Sequence, residues 1–78
     1  MWKVKVLINS VDKVKDFNNK IFPFDCEMDL LSGRYVVDAR SIMGIFSLDI
    51  SKVLDFHVHT MDENVIKELR SVLADYLV

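Results

Sequence analysis

The chain has 78 residues, a net charge of −2 and an apolar content of 51%. That length holds one domain, residues 1–78, which buries only about 60–65% of its unfolded surface, so its expected stability is modest. The apolar content excludes disorder, the mixed charges remove the electrostatic basis for non-specific nucleic-acid binding, and no run approaches the roughly 20 apolar residues of a membrane span.

The first six residues, Met-Trp-Lys-Val-Lys-Val, alternate and lack the apolar core of a signal peptide. Residues 2–8 read as a half-buried strand, with Trp2, Val4, Val6 and Ile8 on one face and Lys3 and Lys5 on the other. Ser10 then caps a helix whose Val11, Val14, Phe17 and Ile21 recur at helical spacing. Pro23 stops it and biases Phe22 towards an extended conformation. "FDCEMDLL" alternates next, with Phe24, Cys26, Met28 and Leu30 inward and Asp25, Glu27 and Asp29 outward. Ser32–Gly33 signals a turn, and "RYVVDA" returns as the second strand of a hairpin. A short helix over 42–48 capped by Ser41 follows, then a strand with Leu54, Phe56 and Val58 inward. Thr60 and Glu63 have the spacing of a capping box, opening a last helix with the stripe Val65, Ile66, Leu69, Val72, Leu73, Tyr76 and Leu77. Strands with one apolar and one polar face predict an α+β open-faced sandwich: a four-stranded antiparallel sheet, order β-α-β-β-α-β-α, with three helices on one side.

The short helix carries more apolar surface than one face can bury. Ile45 and Leu48 form one stripe, and Ile42, Met43 and Phe46 form another. Burying a side chain of this size is worth about 1.5–3 kcal/mol, so an uncovered stripe is a candidate contact patch. The alternative is a helix sunk wholly in the core. Gly44 costs about 1 kcal/mol in a helix and is explained by a close approach to a neighbour. Ser41 serves as an N-cap, and an exposed serine at a helix start also suits a phosphate, with Arg40 beside it to pair and Asp38 to oppose.

Other constellations are plainer. Cys26 is alone, so there is no intrachain disulfide and no cysteine metal site; on its strand's apolar face it fills core. Asp55, His57 and His59 share a polar strand face, and His57 and His59 are weak zinc candidates. The commoner arrangement is a solvated face with Lys3 or Lys5 against Asp55, so no metal and no cofactor is expected. Asp25, Glu27, Asp29 and Asp38 read as a solvated surface without a pocket.

"SIMGIFSLDI", residues 41–50, resembles the "SIMGVMSL" segment of HPr, the histidine-containing phosphocarrier of the bacterial sugar phosphotransferase system. Element order and length agree over the whole chain, supplemented by "TMDENVIKELRSVLADYL" at the family's final helix. The resemblance implies the HPr-like sandwich, a serine phosphorylated by HPr kinase at Ser41, and partner contacts at Ile42, Met43 and Phe46. Those contacts are with phosphotransferase enzymes or, in the serine-phosphorylated form, a transcriptional regulator. It also implies a buried side at Ile45 and Leu48. The departure is large: the family's phosphocarrier histidine lies in a "G-I-H-A-R-P-A"-like run, whereas here "LINSVDKVKDF" holds no histidine, glycine, arginine or proline. Asn9, Ser10 and Asp12 stand there instead, and none is a nitrogen nucleophile. The expectation is a divergent HPr-like regulatory module. It is not an enzyme, binds neither nucleic acid nor membrane, and is cytoplasmic and monomeric or weakly dimeric. The alternatives are a structural homologue that dimerises through the apolar helix or a sheet edge, or a phosphocarrier using another residue, such as an acyl phosphate on Asp12.

Overall fold

The computed structural model describes residues 1–78. Its elements are β1 (Trp2–Val6), α1 (Val11–Ile21), β2 (Met28–Ser32), β3 (Tyr35–Asp38), α2 (Ile42–Phe46), β4 (Leu54–Val58) and α3 (Glu63–Val72). The strands form one antiparallel sheet in the order β1-β4-β2-β3. The expected order and architecture are both present. Alternation sorts the side chains: Trp2, Val6, Leu30, Leu54, Phe56 and Val58 are buried on the helix side. Phe17 of α1 meets Phe56 edge to face at a centroid separation of 5.2 Å, within the favoured range for aromatic pairs.

The opposite face is polar, and the register aligns it in rows. Lys3, His57, Asp29 and Asp38 are successive partners across the four strands, as are Lys5, Asp55, Leu31 and Val36. Lys5 and Asp55 form an exposed ion pair at 3.2 Å, a contact worth at most about 1 kcal/mol.

Several boundaries differ from the sequence expectation. β1 ends at Val6 because its partner there, Leu54, is the first residue of β4, so Leu7 and Ile8 have no strand beside them on that side. Phe22 is αR, not extended (φ −56°, ψ −38°), since its N–H still bonds the Asn18 carbonyl and carries the helix through to Pro23. Alternation in "FDCEMDLL" begins four residues before the strand does. The Phe24 N–H bonds back to Ile21, and no strand pairs with residues 24–27; only the Glu27 carbonyl is reached, by the His59 N–H at 2.8 Å. The hairpin turn is Gly33–Arg34, with Gly33 at φ +59° and no positive φ at Arg34, the type II′ pattern that places glycine first. The α3 cap is Asp62, whose Oδ1 accepts from the Asn64 N–H (2.9 Å). The Thr60 hydroxyl is engaged by the Asp62 N–H and is not the cap. Val72 is exposed, so the α3 stripe narrows to Leu69, Leu73 and Tyr76, with Val65, Ile66 and Leu77 at its margin.

Candidate functional site

α2 is set in place by the three residues before it. Ala39 is buried, its N–H bonds the Met28 carbonyl (3.0 Å), and its carbonyl accepts from Asn18 Nδ2 on α1 (3.2 Å). Asp38 closes the turn: its Oδ1 accepts from the Arg40 N–H (2.9 Å) and its carbonyl from the Ser41 N–H (3.0 Å). Ser41 is the N-cap, its Oγ accepting from the Gly44 N–H at 3.1 Å. Periodicity alone does not single out Asn18. A polar residue on a helix's apolar side is the signal that marks it, because a buried amide must find a partner.

The two stripes of α2 separate as their spacing implies. Ile45 and Leu48 are in the core, while Met43 is 83% exposed, Phe46 38% and Ile42 36%. Ser41 is exposed beside this surface, whereas the Arg40 side chain lines a groove formed by other residues. Gly44 is where α2 comes close to β3: a Cβ there would stand 3.3 Å from the Val37 Cβ and 3.2 Å from Ser41 Oγ. The glycine thus permits both the close approach and the cap.

Arg40 lines a shallow groove together with Asp25, Cys26, Glu27, Asp29 and Asp38. The acidic residues therefore border a concave site where a pocketless surface was expected. The Nε and Nη2 of Arg40 are buried there without a hydrogen-bond partner. Burial pushes the Cys26 thiol up, with Arg40 opposing, which disfavours the thiolate.

At the start of α1, Ser10 Oγ accepts from the Lys13 N–H (3.2 Å) and Asn9 Oδ1 accepts from Lys13 Nζ (3.0 Å). Asp12 is exposed beside them. The histidines are at the other end of the sheet, since Val58 pairs with Trp2 at the beginning of β1. His59 Nε2 lies 2.7 Å from Asp29 Oδ2. His57 and His59 do not converge with a third ligand, and no group of three His, Cys, Asp or Glu residues is placed to hold a metal ion. No helix is long and apolar enough to cross a membrane.

These features define an α+β protein of the open-faced βαββαβα class, with a capped, partly uncovered second helix. No family model and no curated protein matches the sequence. Among solved structures, the chain is similar to the crystal structure of HPr-C-His from Thermoanaerobacter tengcongensis, with a TM-score of 0.76 at 24% identity, over 96% of this chain and 93% of that one. The fold is HPr-like.

Proposed function

We propose that this chain is a regulatory protein-interaction module related to the sugar phosphotransferase system, working through α2 and not relaying phosphate through histidine. The observation that carries the reading is the exposure of Ile42, Met43 and Phe46 around an exposed Ser41 in an HPr-like fold. Three apolar side chains on a five-residue helix exceed what its packing requires. Ser41 gives that patch a modifiable hydroxyl, with Arg40 adjacent in sequence. In the modification, the Ser41 Oγ takes the γ-phosphoryl group of ATP, releasing ADP and the hydroxyl proton. The added charge of about −2 changes which partners the patch accepts.

Two features support the absence of histidine relay. The start of α1 offers a hydroxyl, an amide and a carboxylate but no imidazole, and both histidines sit at the opposite end of the sheet. The test is incubation with a bacterial HPr kinase and ATP, read by intact mass. The chain is expected to gain one phosphate, and Ser41→Ala to gain none; an unmodified wild-type chain overturns the regulatory reading. With the first enzyme of the phosphotransferase system and phosphoenolpyruvate, no phosphohistidine is expected.

A further inference from the structure

The sheet has two edges, and the chain treats them differently. At the end of β1 the C-terminal residues lie as a cover, while Lys3 stands at its open beginning: Val6 bridges Leu77, the Val78 N–H bonds the Lys5 carbonyl (3.0 Å) and the Leu7 N–H bonds the Tyr76 carbonyl (2.9 Å). Along β3 no strand or tail pairs, and Tyr35 and Val36 are 72% and 58% exposed. Natural edges are blunted with proline, lysine, a bulge or a covering segment. Tyr35-Val36-Val37-Asp38 contains no proline and no lysine, and its register with β2 runs without a bulge.

The outward-facing backbone can be assigned from the ladder. Ser32 and Tyr35 flank a two-residue turn, and the Ala39 N–H bonds the Met28 carbonyl, so Tyr35, Val37 and Ala39 direct their peptide groups at β2. Val36 directs its N–H and C=O away from the sheet. An antiparallel partner strand centred on Val36 would exchange both bonds at that residue. The same register sets Tyr35 opposite Val37 and Arg34 opposite Asp38, twice by symmetry. Neither Arg34 nor Asp38 has an ion-pair partner within one copy. Sliding by one pair in either direction removes Arg34 from Asp38, and centring on Asp38 opposes two like charges.

We infer that β3 is a self-pairing edge: two copies of this chain join their β3 strands antiparallel about a two-fold axis at Val36, fusing two four-stranded sheets into one of eight. The sequence of this edge is complementary to itself in hydrogen bonding and in charge. The inference is independent of the Ser41 reading, because the contact is made by backbone groups of β3 and not by the α2 stripe.

The test is sedimentation equilibrium of the full chain over a concentration series reaching the millimolar range, with hydrogen exchange of the Val36 amide measured alongside. A reversible monomer–dimer equilibrium is expected, with the Val36 amide slowing as the dimer fills. Val36→Pro deletes an outward N–H while leaving the β2 ladder intact, so it should weaken dimerisation roughly tenfold or more. Arg34→Asp should weaken it too, and Arg34→Asp with Asp38→Arg should restore it; this pair decides the matter if the proline variant does not fold. A chain monomeric at every concentration overturns the inference. So does a dimer unchanged by both the proline and charge variants, or one lost in Phe46→Asp alone.

Discussion

α1 and α2 begin alike and end differently. Each opens on a serine whose Oγ accepts a backbone N–H from three residues on: Lys13 for Ser10 and Gly44 for Ser41. α1 then runs for eleven residues and buries Val14, Phe17 and Ile21 completely. α2 runs for five, buries Ile45, and leaves Met43 in solvent with Ile42 and Phe46 partly exposed beside it. The same cap therefore serves a structural helix in one place and a presented surface in the other. A capping serine is not by itself a functional signal. What distinguishes Ser41 is the apolar surface it introduces.

Large-to-small substitutions break this comparison most sharply. Phe17→Ala should cost about 3–5 kcal/mol in urea-unfolding experiments, since Phe17 is fully buried and packs on both Phe56 and Tyr76. Phe46→Ala should cost less than about 1.5 kcal/mol, because the ring is already partly in water. Equal losses would mean that α2 is core and that its outer stripe is not free to dock.

The caps give a smaller effect and sharpen the likeness. Ser10→Ala and Ser41→Ala should each lower stability by about 1 kcal/mol by the same measurement. A much larger loss at Ser41 would show that the serine holds the loop from Ala39 rather than only the helix start.

The smallest effect concerns how α1 is anchored. The Tyr76 hydroxyl donates to Asp16 Oδ2, and Lys20 Nζ lies 3.1 Å from the same carboxylate. Tyr76 and then Lys20 hold Asp16 below the usual carboxylate range, and the Asp16 bond, ahead of burial, pushes the Tyr76 hydroxyl up to about 12. Asp16 has a lower pKa folded than unfolded, so its contribution is complete above the unfolded value of 3.8 and is lost as pH falls through the folded one. Tyr76 has a raised pKa, so its contribution is complete below 10 and is lost as pH rises through about 12. Tyr76→Phe should therefore flatten the acid loss of stability, followed as the urea midpoint between about pH 5 and pH 2. α2 has no comparable side-chain tie to a charged group.

Periodicity resolved those parts of the fold in which one residue's environment follows from its neighbours' spacing. β1, β4 and the two stripes of α2 were legible because alternation and helical recurrence map directly onto faces. The length of β2 was not, because Phe24 and Cys26 alternate with Asp25 and Glu27 in a segment that has no strand beside it. Pairing is a property of two segments, and pattern within one cannot supply it. Spacing points to Thr60 as the α3 cap, whereas Asp62 holds that place, since both are good caps within two residues and only the fold decides which N–H each one meets. The groove around Arg40 joins residues 25–29 to 38 and 40, and the contacts of Asn18 with Ala39 and of Tyr76 with Asp16 join residues 21 and 60 positions apart. No local signal announces such contacts, although a polar residue in an apolar stripe marks Asn18 as one to explain.

The C-terminal residues that lie along β1 also decide how far association can proceed. A pairing at β3 about a two-fold axis is isologous: each copy spends its β3 edge on the other, and that contact closes at two. Were Leu77 and Val78 displaced or removed, β1 would offer a second edge, and β1-to-β3 pairing between copies would be head to tail with no closing step.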